Sequence, residues 1–228
     1  MITIEAFQPF NMYFQATTKH GFRFYDESGK ILNKYVEDFD EYANGMDGIR
    51  LARPKSSKGK PHAIRVDSQR IWLQFLAPAS LSEAGSLILP FIRDISKILG
   101  VEEYSRFGLR VEYYASAQLN TPEIADIARK ALGSAFHSDL DAIQERVEFV
   151  ASYRGMSKGL GTIVIFRSMR ITRPPKELAD YPADGLLFDV DSYVNDVDGL
   201  SGLPQFIGTA LENVSTRLKT NAKNLFEV

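Results

Sequence analysis

Apolar and polar residues alternate with period two over residues 70–76 and 105–116, and apolar residues recur every three to four positions over residues 81–99. The first rhythm belongs to half-buried strands and the second to an amphipathic helix, so the chain predicts both. In the first strand Ile71, Leu73 and Phe75 share one face, and Trp72, Gln74 and Leu76 share the other. In the second, Phe107, Leu109, Val111, Tyr113 and Ala115 oppose Arg106, Arg110, Glu112 and Tyr114, with Gly108 between the arginines. An antiparallel sheet with one face in the core produces that alternation.

Turn and cap residues divide the rest. Asn11 to Thr17 reads as a strand. Phe22, Phe24 and Ile31 flank the turn-like run from Asp26 to Gly29, which predicts a β-hairpin. Residues 36–42 fit a short acidic helix or a loop. Residues 50–65 read as a loop, because two prolines, a glycine and paired serines interrupt any period. A hairpin follows, with strands 63–66 and 70–76 around Asp67, Ser68 and Gln69. Ser80 and Glu83 make a capping box at the head of the 81–99 helix, and Gly100 is its stop. Pro90 is expected to kink or divide that helix. Thr121 and Pro122 open a second helix that ends at Gly133. Strands are expected at 146–154, 162–172 and 186–193, the first two as a hairpin, and a terminal helix from Pro204. No internal repeat stands out.

The order does not alternate strand and helix regularly, which argues against a doubly wound or barrel sheet. The expected fold is α+β: a mostly antiparallel sheet with two or three long helices packed on one face, in a single domain over residues 1–228.

Composition narrows the class. With 228 residues, 44% hydrophobic and 25% charged, the chain matches ordinary globular proteins. At that length folding hides about 70–75% of the unfolded surface, so no staple is required. The absence of cysteine removes disulfides, thiolate zinc sites, iron–sulfur clusters and a Cys nucleophile. The N-terminus lacks a signal-peptide pattern, and no apolar run reaches the ~20 residues of a membrane span. A soluble cytoplasmic protein is the expectation, with no membrane association.

The segments IRVDSQRIWLQF and EEYSRFGLRVEYY, joined by the long helix, resemble a sporadically distributed family of uncharacterised bacterial proteins. Members carry a strand pair, a long helix and a strand with the pattern R-x-G-L-R, here Arg106 to Arg110. An acidic strand and a C-terminal helix follow, similar to LLFDVDSY and LPQFIGTALENV here. The chain departs from the family at VEYYAS, where an Asn-containing continuation is expected. The resemblance implies the architecture and supplies no mechanism.

Four features invite chemistry. Gly155-Met156-Ser157-Lys158-Gly159 matches G-x-S-x-G, but that motif needs a helix after its serine and here a strand follows, so a hairpin turn is the better reading. The glycines at 155, 159 and 161 fit neither phosphate-loop spacing. Asp189 and Asp191 fall on one strand face, yet the EF-hand pattern fails at Val194 and Leu200, which leaves a solvated acidic face. His20, His62 and His137 share no metal-ligand spacing. No catalytic residue, metal or cofactor is assigned.

Two sets of residues remain. Arg106, Arg110, Glu112 and Tyr114 form a polar strand face; if covered, two arginines and a carboxylate would hold an anion or a partner. Arg50, Arg53, Lys55, Lys58, Lys60 and Arg65 lie in a stretch nearly free of acids, a pattern that gives salt-dependent nucleic-acid binding, with Trp72 available for stacking. Isolated basic runs are usually solvated surface, and the chain as a whole carries a formal charge of −2. The sequence thus favours a non-enzymatic binding or protein-interaction domain with a protein partner or self-association. Polyanion binding through 50–70 is the alternative, and an enzyme whose residues converge only in the fold is the third reading.

Overall fold

The computed structural model describes residues 4–18, 23–56, 59–116, 121–132, 148–170 and 184–226. Among the described residues nine strands form one antiparallel sheet: β1 (Phe7–Thr18), β2 (Phe39–Gly45), β3 (Gly48–Pro54), β4 (Ala63–Val66), β5 (Arg70–Leu76), β6 (Tyr104–Ser116), β7 (Val150–Ser157), β8 (Leu160–Arg170) and β9 (Asp184–Val197). Their order is β2-β3-β4-β5-β1-β6-β9-β8-β7. Four α-helices occur among the described residues: α1 (Arg23–Tyr35), α2 (Leu81–Leu99), α3 (Thr121–Leu132) and α4 (Leu203–Phe226). The fold is α+β.

The connections follow one plan twice. From β1 the chain runs through α1 into a meander whose last strand, β5, pairs with β1, and α2 follows. From β6 it runs through α3 into a meander whose last strand, β9, pairs with β6, and α4 follows. The two lead strands, β1 and β6, pair antiparallel at the centre of the sheet. No residue pattern announces this repetition, because it lies in the order of elements and not in the side chains.

Period two sorts each strand. Met12, Phe14 and Ala16 of β1, Ile71 and Leu73 of β5, Leu109 and Val111 of β6, and Phe188 and Val190 of β9 are buried in one continuous apolar cluster. Phe24 and Ile31 of α1, Ile88 and Ile92 of α2, Ala128 of α3, and Ile207 and Val214 of α4 join the same cluster. The intervening strand positions form the second face of the sheet, called here the polar face.

The long helix runs over the expected residues. Ser80 accepts a hydrogen bond from the Glu83 backbone N–H at 3.2 Å, and Gly100 closes the end in the left-handed region at φ 62°. Pro90 does not divide it. The expected stop at Gly133 lies outside the described residues.

Two expectations are corrected. Residues 23–35 are a helix and not a hairpin. Phe24, Ile31 and Tyr35 are buried at helical spacing, and their burial outweighs the turn signal around the exposed Gly29. Likewise residues 50–65 are not one loop: β3 extends to Pro54 and β4 begins at Ala63. Ile49 and Leu51 are fully buried while Arg50 between them is exposed, so the strand rhythm was present beneath the prolines. Residues 36–42 divide between a 3₁₀ turn, Val36–Asp38, and the start of β2. The G-x-S-x-G segment ends β7 and turns at Lys158 and Gly159, both at positive φ, into β8. It is a hairpin turn, and a strand follows the serine.

Candidate functional site on the polar face

The sheet register places residues from distant parts of the chain in rows across the polar face. One row runs Arg50 (β3), Arg65 (β4), Trp72 (β5), Gln15 (β1), Gly108 (β6), Tyr193 (β9), Gly161 (β8). The next runs Ala63, Gln74, Tyr13, Arg110, Asp191, Ile163 and Arg154. Asn11, Glu112, Asp189 and Ile165 follow in a third.

Where the first two rows cross the centre of the sheet there is a cavity of about 470 Å³, lined by Tyr13, Gln15, Trp72, Arg106, Gly108, Arg110 and Asp191. Four strands contribute to it. Gly108 leaves its floor open. A Cβ at Gly108 would lie 3.8 Å from the nearer Asp191 oxygen and 3.9 Å from Arg106, ordinary contact distances, so the backbone does not demand glycine there. What glycine supplies is the space.

One wall is aromatic. The Tyr13 and Trp72 rings stack with centroids 5.3 Å apart at 26°. The opposite side is guanidinium and carboxylate. Arg110 grips Asp189 with two hydrogen bonds, from Nε at 2.9 Å and from Nη2 at 2.7 Å, and Nη2 also reaches Glu112 at 2.7 Å. The Asp189 and Glu112 side chains are only 4% and 11% exposed, so Arg110, at 42%, is the lid that compensates two buried carboxylates. Asn11 donates to Glu112 at 3.0 Å, and Gln74 donates to Asn11, which extends the network into β5. Tyr13 donates to Glu112 at 3.4 Å, and burial together with that carboxylate raises the Tyr13 hydroxyl well above its ordinary value.

Arg106 is held more loosely. Its Nη2 lies 3.4 Å from Asp191, and its guanidinium sits over the Tyr193 ring at 4.5 Å. Arg154 approaches the same ring at 5.4 Å and donates from Nε to the Tyr193 hydroxyl at 3.0 Å. Tyr193 lies flat over Gly161, where any Cβ would run into its ring. Burial raises the Asp189 and Asp191 carboxyls above the usual carboxylate range, against the pull of Arg110 and Arg106.

Arg106, Arg110 and Glu112 therefore do converge. Tyr114 does not reach the cavity: it is 1% exposed and packs with Phe10 and Leu187 in a small apolar cluster, its ring close over Gly185. Tyr13, Gln15 and Asp191 complete the site and lacked any sequence signal tying them to Arg106; only the β1–β6 and β6–β9 registers supply it. Asp189 and Asp191 do share a face, but both Asp189 oxygens are engaged by Arg110. Among the described residues no group of three or more His, Asp or Glu side chains is placed to hold a metal.

The basic stretch is divided by the fold. Arg50 and Arg65 face each other across β3 and β4, both exposed, and make no ion pair among the described residues. Arg53 pairs with Glu41 at 2.9 Å, and Lys60 pairs with Asp38, so both are neutralised locally. Lys55 is exposed beyond the end of β3, and Lys58 lies outside the described residues. His62 sits in the backbone of the turn before β4, where its N–H donates to the Gln74 carbonyl at 2.6 Å. His20 and His137 lie outside the described residues. No helix among the described residues is long and apolar enough to cross a membrane.

No protein-family model matches the chain, and no curated protein matches it by sequence.

Proposed function

We propose that the protein is a non-enzymatic binding domain whose ligand site is the polar-face cavity over Gly108. The ligand is a flat body bearing an anionic group: the flat part lies on the Trp72–Tyr13 stack and the anion meets Arg106, the more loosely held guanidinium. The observation that carries this reading is the open floor at Gly108, a strand-centre position with room for a Cβ and none present, ringed by aromatic, amide and guanidinium groups. Asp189 and Glu112 are locked to Arg110, so they serve as its anchor and not as free acid–base groups. A bacterial cytoplasm is the compartment we assign, on the resemblance of the R-x-G-L-R strand and long helix.

Trp72 is the single tryptophan of the chain, so its fluorescence reports directly on the cavity. Nucleoside monophosphates are expected to quench it saturably. Gly108→Leu, which fills the floor, is expected to weaken that binding at least about tenfold, a loss of about 1.4 kcal/mol. Saturable binding unchanged in Gly108→Leu, or turnover of a ligand in the cavity, would overturn the reading.

A second reading has its own observation. The edge strand β7 exposes Val150, Tyr153 and Met156, at 61%, 42% and 64%, beside a strand edge that no other strand pairs among the described residues. Such an edge suits a protein partner or a second copy of the chain. Solution mass by sedimentation, compared with that of Met156→Lys, tests it: a monomer in both removes self-association.

A further inference from the structure

We infer that the occupant of the polar face is a single-stranded nucleic acid, laid across the strands from Arg50 to Tyr193 with one base in the Gly108 cavity. This rests on the cavity reading above and extends it from a pocket to a track.

The first observation is a cost. Arg50 and Arg65 are directly opposite each other on adjacent antiparallel strands, exposed, with no ion-pair partner among the described residues. Like charges in that relation destabilise a sheet. A bound polyanion removes the penalty, and phosphates are the anions that arrive in series. The second observation is the order along the row. Next to the two arginines comes Trp72, then the cavity at Gln15 and Gly108, then Tyr193 with Arg106 and Arg154 on its ring. Guanidinium and flat π surface thus alternate across an antiparallel sheet, the pattern by which bases stack while the backbone is neutralised. From β3 to β9 the row crosses five strand intervals, about 24 Å at ~4.8 Å each, the reach of an oligonucleotide and not of a mononucleotide.

The third observation separates this occupant from an acidic peptide. The cavity floor carries Asp191 and the Gln15 amide as well as arginine. A peptide carboxylate entering there would meet Asp191 and be repelled. A base would present N–H and amino donors to Asp191 and Gln15 while stacking on Trp72, leaving its flanking phosphates to Arg65 on one side and Arg106 on the other. A duplex keeps its bases paired and stacked and offers none to the cavity.

The test uses the full chain and a labelled twelve-nucleotide single strand, with anisotropy and Trp72 fluorescence read between roughly 50 and 200 mM salt, the range over which phosphate neutralisation shows. The wild-type chain is expected to bind with Trp72 quenched. The double variant Arg50→Ser, Arg65→Ser is expected to lose at least about tenfold in affinity and to flatten the log–log salt slope by about 1.4, at ~0.7 for each phosphate no longer neutralised. It keeps the cavity, so nucleoside monophosphate binding stays as in the wild type. Both arginines are exposed, and an unchanged or higher urea midpoint certifies the fold. Trp72→Phe, which preserves an aromatic wall, is expected to weaken binding less than Trp72→Ser. If monophosphates quench Trp72 and the oligonucleotide does not bind, the track is wrong and the cavity stands. If neither binds, both fail. Equal binding of duplex, or competition by polyglutamate at the same charge concentration, would overturn the single-strand assignment in favour of a general polyanion or an acidic protein segment.

Discussion

The two halves of the polar face treat arginine in opposite ways. On β6 and β9 every arginine near the cavity has a carboxylate: Arg110 holds Asp189 and Glu112, and Arg106 leans on Asp191. On β3 and β4, Arg50 and Arg65 face each other and neither makes an ion pair among the described residues. The β6–β9 half is largely compensated within the fold, so Arg110 fixes geometry and the loosely held Arg106 is left to meet an anion. The other half carries a cross-strand repulsion that no ion pair among the described residues relieves, so its charges remain available to something outside. Trp72 and Tyr13 stand at the seam between them. An arginine count along the sequence treats these as one population; cross-strand register shows that they do different things.

The contrast can be broken from either side, and the self-satisfied half should break hardest. Arg110→Ala leaves two buried carboxylates uncompensated and is expected to cost about 3 kcal/mol in urea unfolding near neutral pH. The pH dependence has a definite sign. Without Arg110 the Asp189 carboxyl moves further above its unfolded value, so the folded state binds protons more readily than the unfolded one. The penalty is then full above the folded value and fades as pH falls. The gap between wild type and Arg110→Ala should therefore narrow steadily as the pH is lowered toward about 4, where Asp carboxyls begin to protonate. A gap that stays constant would mean that Arg110 acts by packing alone.

Asp191→Asn sharpens the same half with a smaller and opposite effect. Burial already raises this carboxyl, and Arg106 compensates it from 3.4 Å. Its ionised form is a burden whose cost is present at neutral pH and absent below the carboxylate range. Removing the charge is expected to stabilise the fold by about 0.5 kcal/mol near neutral pH and by nothing at low pH. The available half should respond no more strongly than that. Arg65→Glu turns a repelling cross-strand pair with Arg50 into an attracting one, worth about 0.5 kcal/mol of added stability that salt erodes. A loss of stability there would mean that Arg65 already has a partner.

How much of this was readable before folding follows from what each signal encodes. The strand at Arg106 to Ala115 and the helix at 81–99 were legible because both rhythm and cap agree at the same residues. Residues 23–35 were misread because Asp26 to Gly29 imitates a turn, while the deciding contribution, burial of Phe24, Ile31 and Tyr35, depends on what the helix packs against. In residues 50–65 the prolines and serines masked a short alternation from Ile49 to Leu51, and short strands take their identity from partners. For the site, Arg106, Arg110 and Glu112 were recognisable from one strand. Tyr13, Gln15, Trp72 and Asp191 come from three other strands, and register alone sets them beside Gly108.

The central claim is that the open floor at Gly108 is a binding site. Its most direct measurement is a titration of Trp72 fluorescence with nucleoside monophosphates, run on the wild type, Gly108→Ala and Gly108→Leu with urea midpoints taken in parallel. Gly108→Ala should fold, since a Cβ there meets only ordinary neighbour distances, the urea midpoint certifies Gly108→Leu, and affinity should fall in the order Gly, Ala, Leu as the floor fills. Folded variants that bind as tightly as the wild type would contradict it.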